Sequence, residues 1–337
     1  MRLFICEYVT GGGLLGSPLP PGLAREGDMM LGALVKDVAA LGGIDILTTR
    51  DARLGDVDLP AECRTVNGRE TPWRLWQEMA ERSDAVWPIA PETDGALLRL
   101  SALVGAAGRT LVGSKPEAVC LAGSKRATTD RLIACGVATV PTVRADPSEV
   151  NLLPPVNDGW VLKPDDGAGA ESTRLFRRRD DLLRAMCALP RENNMVVQPY
   201  IPGVAASLSV LCRKGRTRLL SCNQQDIVID DDRFRYRGGV VGALEARRSV
   251  YEAIANSVVA AIPGLWGHVG IDLIDGASEP VVLEVNPRLT TSYVGLGRAI
   301  GVNPAGLALR LLASDMEAAN YSWPVTPQRV DVAAGNA

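Results

Sequence analysis

The order of apolar runs along the chain predicts an α/β architecture, with a parallel βα sheet in the first third and a larger, mostly antiparallel sheet after it. Up to about residue 114, short apolar runs alternate with amphipathic stretches of helical length, as βα units require. From Met195 to Val240, apolar runs follow one another with only turns between them, the pattern of antiparallel strands. The length of 337 residues, 47% of them hydrophobic and 22% charged, is enough for two or three real cores.

Arg2 to Val9 reads as a buried strand that leads into Gly11-Gly12-Gly13. A helix is expected from Leu23 to Leu41 and a strand from Ile44 to Thr48. Thr71 to Arg82 is helical, with Thr71 as N-cap and Pro72 in the first turn. Ala85 to Ile89 is a strand, Thr93 to Ala106 a helix and Thr110 to Val112 a strand. Short helices follow at Pro116 to Leu121 and Ser124 to Cys135, the second capped by Ser124 and stopped by Gly136. Beyond Val140, Trp160 to Lys163 and Thr173 to Phe176 are strands around a glycine-bearing loop, and Asp180 to Ala188 is a helix. The antiparallel series comprises Met195 to Tyr200, Ser207 to Arg213, Thr217 to Asn223, Ile227 to Ile229 and Phe234 to Val240, with Asp230-Asp231-Asp232 as a turn. A helix near Arg247 to Ile262 places Val250, Ile254, Val258 and Ile262 on one face. Strands Val269 to Ile274 and Pro280 to Asn286 come next, then helices near Ser292 to Ile300 and Pro304 to Leu312. From about Asn320 the chain reads as a mobile tail.

Composition excludes several classes. A net charge of −3 gives no reason to expect nucleic acid or a membrane surface as partner. No run of eighteen apolar residues occurs, and the start lacks a basic segment followed by an apolar one, so neither a spanning helix nor a secretory signal is expected. Seven scattered cysteines, none in a C-x-x-C, suit reduced thiols in a cytoplasmic protein. One histidine, His268, rules out chemistry that needs paired histidines and is expected to pack rather than react. Arginine supplies 31 of the 36 basic residues, which draws attention to Lys36, Lys115, Lys125, Lys163 and Lys214, because the two side chains bind phosphate differently.

Gly11, Gly13 and Gly16 satisfy G-x-G-x-x-G after a strand, yet Pro18, Pro20 and Pro21 keep the third glycine from opening a helix. No acidic residue closes a second strand about twenty positions on, so a tight backbone turn at a substrate cleft is preferred to dinucleotide binding. Glu284-Val285-Asn286-Pro287-Arg288 carries more chemistry. On a strand Glu284 and Asn286 share a face, and the hairpin turn at Asp275 to Glu279 brings Asp272 beside them. An acid inside an apolar strand is costly unless paired or metal-bound, and three hard oxygen donors suit Mg²⁺ beside nucleotide phosphates. Arg288 then lies where a fork of donors steadies a transferring phosphoryl group. Lys163 faces the loop holding Gly167 and Gly169, whose small residues let backbone N–H groups approach phosphate oxygens. Lys125 stands near the start of a capped helix. Gln198-Pro199-Tyr200-Ile201 reads as a strand entering an extended hinge whose backbone reads an adenine edge. Glu92 is a candidate contact for a substrate amine. On the strand of Arg233, Arg235 and Arg237, Arg237 before Gly238-Gly239 is a candidate for a substrate carboxylate, with solvent exposure as the default.

In order, Gly123-Ser124-Lys125, Leu162-Lys163-Pro164, Val197-Gln198-Pro199-Tyr200-Ile201-Pro202-Gly203, Gly270-Ile271-Asp272 and Glu284 to Arg288 resemble the ATP-grasp superfamily. The resemblance covers residues 115 to 315, with the first third resembling the βα domain that precedes it. It implies a pre-ATP-grasp domain at 1–114, a central subdomain at 115–195, a C-terminal subdomain with the metal site at 196–318 and a tail at 319–337. It implies that Lys125 and Lys163 contact ATP phosphates, that Gln198, Pro199, Tyr200 and Ile201 line the adenine, and that Asp272, Glu284 and Asn286 hold two Mg²⁺ or Mn²⁺ ions. A carboxylate for the ribose hydroxyls is missing, because Val204-Ala205-Ala206-Ser207 supplies none.

Glu7 to Gly13, Ser221 to Gln225, Tyr236 to Gly239 and Asn286 to Tyr293 further resemble the tyramine–glutamate ligase branch of methanofuran and methylofuran assembly. The expectation is therefore an ATP-dependent carboxylate–amine ligase working through an acyl phosphate on small molecules, with Gly11, Gly12, Gly13, Glu92, Arg237 and Gly238 near the substrates. A homodimer is compatible with it. Another amino-acid or peptide ligase, a hydroxyl kinase and a nucleotide-binding protein without turnover stay open.

Overall fold

Parallel strands buried on both faces need helices on both sides, and the first third of the chain supplies them. The computed structural model describes the chain except residues 70, 155–156, 168–171, 191, 315–323 and 333–337. β1 (Arg2–Glu7), α1 (Pro21–Ala39), β2 (Asp45–Asp51), β3 (Glu62–Val66), α2 (Pro72–Glu81), β4 (Ala85–Ile89), α3 (Ala96–Ala106) and β5 (Thr110–Leu111) build a parallel sheet of order β3-β2-β1-β4-β5. β3 is an addition to the expected set. Glu62-Cys63-Arg64-Thr65 is polar and exposed, and only its place at the sheet edge beside β2 makes it a strand. Thr71 caps α2 by accepting from the Arg74 N–H, with Pro72 in the first turn.

Two short helices, α4 (Pro116–Ala122) and α5 (Lys125–Ala134), lead to the second sheet. It contains β6 (Val143–Arg144), β7 (Trp160–Pro164), β8 (Arg174–Phe176), β9 (Met195–Pro199), β10 (Val204–Arg213), β11 (Arg216–Asp230), β12 (Arg233–Val241), β13 (Gly267–Asp275) and β14 (Val281–Asn286). Its order is β14-β13-β10-β11-β12-β8-β7-β9-β6, and its pairs are antiparallel. α6 (Pro147–Val150) and α7 (Arg179–Cys187) pack on the β6–β9 part, and α8 (Arg248–Ala261) covers the β10–β13 part. α9 (Tyr293–Ile300) and α10 (Pro304–Ala313) lie against α1, so Leu31, Leu34 and Val38 share one core with Leu296, Ile300 and Leu311. That shared core ties the first domain to the far end of the chain.

Three expectations change. The runs at 217–223 and 227–229 form one strand, β11, because Gln224 pairs with Ala206 on one side and Val240 on the other. β9 hydrogen-bonds to β7 and β6, antiparallel to both. On α8 the buried stripe is Tyr251, Ala255, Val258, Val259 and Ile262, whereas Val250 is 37% exposed. A strict i+4 series drifts by about 40° per step around a helix of 3.6 residues per turn, so its first member leaves the core. In the expected mobile tail, β15 (Gln328–Asp331) pairs antiparallel with β12.

Candidate functional site

A cleft of about 950 Å³ runs between the first domain and the second sheet, at the upper end of the range of ligand pockets. At its centre β13 and β14 pair with Asp272 opposite Glu284 and Gly270 opposite Asn286, so alternation along the strands gathers the three side chains. Asn286 Nδ2 donates to Asp272 Oδ2 at 3.1 Å, and Gln225 Nε2 of β11 donates to Oδ1 at 3.2 Å. Burial, then the neighbouring Glu284 charge, push the Asp272 carboxyl well above its ordinary range. Burial works the same way on Glu284, but Lys125 and Lys163 outweigh it and hold that carboxyl below its ordinary range. Adjacent buried carboxylates need a proton or a cation between them. Two carboxylates and an amide oxygen are hard donors of the kind Mg²⁺ and Mn²⁺ accept, so the residues fit such an ion. Among the described residues no group of three or more His, Cys, Asp and Glu side chains gathers to hold a metal, so the amide of Asn286 completes this donor set.

Two lysines converge on the acids. Ser124 accepts from the Ala127 N–H and starts α5 at Lys125. The Lys125 ammonium thereby reaches Gly167 O at 2.6 Å and Asp165 O at 3.3 Å, and lies 3.4 Å from Glu284 Oε2. Lys163 is the penultimate residue of β7, and burial lowers its ammonium to about 8 against the opposing pull of Glu284. Gly167 lines the cleft; Gly169 lies outside the described residues.

At one end Gln198, Pro199, Tyr200 and Ile201 line the cleft with Val140, Val161 and Leu283. Gln198 Nε2 donates to Thr142 Oγ1 at 2.8 Å and the Tyr200 N–H donates to Gly159 O at 2.9 Å, which fixes the hinge. The Tyr200 and Phe234 rings sit 6.2 Å apart beside it.

Arg288 lines the cleft wall, but its guanidinium is gripped from behind. Nε donates to Glu92 Oε1 at 3.0 Å and Nη2 to Oε2 at 2.9 Å, a bidentate pair with side chains 11% and 7% exposed. Glu92 therefore anchors Arg288, and the expected contact from Glu92 to a substrate amine is corrected. Three further expectations about substrate residues change. Gly11, Gly12 and Gly13 are packed away from the cleft, where Cβ atoms would meet Thr49, Val66 and the Tyr8 ring at 2.8, 2.8 and 2.6 Å. What the turn presents to the cleft is Tyr8, Val9 and Leu14. Along β12, alternation turns Arg237 to the exposed face while Phe234 and Tyr236 face the cleft. Gly238 is buried against β15, opposite Asp331, and Gly239 lines the cleft instead.

His268 is structural. Its Nε2–H donates to the Pro304 carbonyl at 3.1 Å, the ring stacks 6.1 Å from Trp87, and burial lowers its pKa to about 4. All seven cysteines are free thiols, and among the described residues no helix is long and apolar enough to cross a membrane.

Several cleft residues carried no motif. On α1, Leu23, Glu26, Gly27 and Met30 line the far end, and Thr291 donates to Glu26 Oε1. Their spacing of i, i+3, i+4 and i+7 marks one helical face, and an acid and a glycine within that stripe were the available signal.

The ATP-grasp domain family matches residues 122–292, half of the chain, and the pre ATP-grasp 3 domain family matches residues 44–119. A tyramine–L-glutamate ligase from Methanocaldococcus jannaschii is 26% identical over 281 residues, 81% of this chain and 79% of that protein. One from Methanocaldococcus fervens is 27% identical over 219 residues, 64% and 62% of the two chains. Among solved structures, an ATP-grasp superfamily protein from Archaeoglobus fulgidus superimposes with a TM-score of 0.69 at 23% identity, over 98% of this chain and 99% of that one. An L-amino acid ligase from Bacillus licheniformis gives 0.70 at 17% identity, over 97% of this chain and 77% of the other. With this fold, this order of site residues and these matches, the chain belongs to the ATP-grasp family of ATP-dependent ligases.

Proposed function

We propose that the protein is a carboxylate–amine ligase that activates a carboxylate as its acyl phosphate and joins it to an amine. The narrower reading is the γ-carboxylate of glutamate with tyramine or a similar amine, as the names of the two curated relatives suggest and as cofactor assembly of the methanofuran or methylofuran type would need. One observation carries the reading: Lys125, Lys163, Asp272, Glu284 and Arg288 line a single cleft together with the Gln198–Ile201 hinge and the α1 residues Leu23, Glu26 and Met30.

Asp272, Glu284 and Asn286 would hold one or two Mg²⁺ or Mn²⁺ ions, which supply charge neutralisation at phosphate oxygens when bound. Lys163 and Lys125 bind the ATP phosphates, and the hinge from Gln198 to Ile201 holds the adenine against Val161 and Leu283. The substrate carboxylate attacks the γ-phosphorus in line, and ADP leaves. Arg288, fixed by Glu92, offsets charge on the transferred group. The amine then attacks the acyl carbon, the C–O bond to phosphate breaks, and amide and phosphate form. No side-chain nucleophile is required, so positioning and charge supply the catalysis.

The test is ADP release with ATP, Mg²⁺, glutamate and tyramine, repeated with hydroxylamine in place of the amine. Amide with tyramine and hydroxamate with hydroxylamine are expected, and Glu284→Gln should abolish both. ADP without hydroxamate would instead indicate a hydroxyl kinase, and ATP binding without ADP a protein lacking turnover.

A further inference from the structure

We propose that Glu26, on the α1 face of the cleft, is the residue that receives the acceptor amine as its ammonium ion and takes the proton that must leave before attack. This rests on the ligase reading above and assigns the acceptor end of the same cleft.

Around Arg288 the cleft is lined by Leu23, Glu26, Gly27 and Met30 of α1 and by Tyr236 and Thr291, with Glu26 and Thr291 in contact. Its charges do not cancel. Arg288 is already matched by the bidentate carboxylate of Glu92. Glu26 is half-buried, accepts from the Thr291 hydroxyl, and forms no ion pair among the described residues. It is close enough to Arg288 and Tyr236 for its charge to raise the pKa of each. The uncompensated groups at this end are thus the carboxylate of Glu26 and, beside it, the Glu7 carboxyl, a wall that attracts a cation and repels a further carboxylate. Thr291 fixes the side chain from the loop that also carries Arg288, so Glu26 is held on the cleft wall near the guanidinium rather than free in solvent.

The shape agrees with the charge. Gly27 stands one residue along the same helical face, and a Cβ there would come within 2.8 Å of the Glu7 carboxyl group. The absence of a side chain there lets the Glu7 carboxyl group, held by Thr10 N–H and Oγ1 at 2.5 and 2.6 Å, pack directly against α1, so that Glu7, Leu23 and Met30 together form the cleft wall beside Glu26. An ammonium group carried on an apolar or aromatic body suits these walls, with the charge at Glu26 and the body along Leu23, Met30 and Val9.

The chemistry balances. An ammonium ion has no lone pair, so one proton passes from the R–NH₃⁺ nitrogen to the Glu26 carboxylate, giving R–NH₂. The nitrogen lone pair forms the C–N bond as the C–O bond to phosphate breaks. The second proton leaves with the departing phosphate, and Glu26 returns its proton to solvent.

Glu26→Gln keeps the shape and removes the charge and the proton acceptor. Hydroxylamine is uncharged at neutral pH and needs neither, so hydroxamate formation from glutamate and ATP should stay within about twofold of the parent. Amide formation with tyramine should lose on the order of 10- to 100-fold in kcat/KM, and part of that loss should return as the pH is raised toward the amine's own pKa. Glu26→Asp should recover a fraction of the activity. An equal loss of hydroxamate and amide would overturn the assignment, because Glu26 would then serve the donor or the fold. Unchanged tyramine kinetics would overturn it too. A parent enzyme that forms neither hydroxamate nor ADP would overturn the ligase reading itself, a distinct outcome, and this assignment with it.

Discussion

Removing Glu92 should destabilise the protein far more than a typical side-chain truncation, because it strands a buried guanidinium. Arg288 and Glu92 are 11% and 7% exposed, so solvent screens the pair little, and both oxygens of Glu92 are used by Nε and Nη2 at 3.0 and 2.9 Å. The third arm, Nη1, donates to Leu289 O at 3.1 Å and offers no charge compensation. Breaking such a pair from one side costs about 3–5 kcal/mol, which at about 2 °C per kcal/mol for a chain of this size is a fall in Tm of roughly 6–10 °C for Glu92→Ala. Replacing both partners by apolar residues of similar volume, Glu92→Leu with Arg288→Met, removes the stranded charge and should recover most of that loss. The recovered protein should nevertheless release no ADP, since the cation at the cleft wall is gone. Thermal unfolding by near-ultraviolet circular dichroism, with ADP release on the same samples, measures both. The reasoning is refuted if Glu92→Ala costs less than about 1 kcal/mol, or if the double variant melts as low as the single one.

Two other expectations concern stability. Burial raises the Glu7 carboxyl from 4.5 to about 7 despite three hydrogen bonds to its charged form. The folded state thus holds the proton more tightly than the unfolded chain, and stability present below pH 4.5 is lost as pH rises to 7, by about 3 kcal/mol in all. Glu7→Gln should flatten that slope and melt higher than the parent at pH 8; coincident melting profiles from pH 4 to 8 would contradict it. Gly238 sits at φ +124° with a Cβ position 2.1 Å from the Val330 carbonyl oxygen. Gly238→Ala should therefore detach β15 and raise proteolytic cleavage within residues 324–332 severalfold, and an unchanged cleavage rate would show that the pairing adapts.

Much of the site was legible because it depends on local rules. Alternation on a strand puts Glu284 and Asn286 on one face whatever surrounds them, and a short hairpin returns Asp272 to the same place. Ser124 caps a helix through its own next turn, which aims Lys125. Where reasoning failed, the deciding contact was distant. Arg237 was weighed as a substrate contact, and only the cleft's position on the Phe234–Tyr236 face shows which way β12 turns. The triglycine turn looked like a ligand cradle, yet its missing side chains accommodate Thr49, Val66 and Tyr8. β3 and β15 are polar or short, and each is a strand because a neighbouring edge pairs with it.

The amino-acid order alone determined the succession of βα units and antiparallel strands, the hard-donor set, the two lysines and the hinge, since periodicity, capping and turn chemistry act over a few residues. Tertiary packing decided which of these groups neutralise one another. Glu92 meets Arg288 across 196 positions and Glu26 meets Thr291 across 265, and both contacts exist because α1 and the β4–α3 turn are pressed against the loop after β14. Burial then makes those long-range pairings consequential. A charge that water would screen must find its partner inside the fold, and the chain cannot specify that partner until the domains have closed on each other.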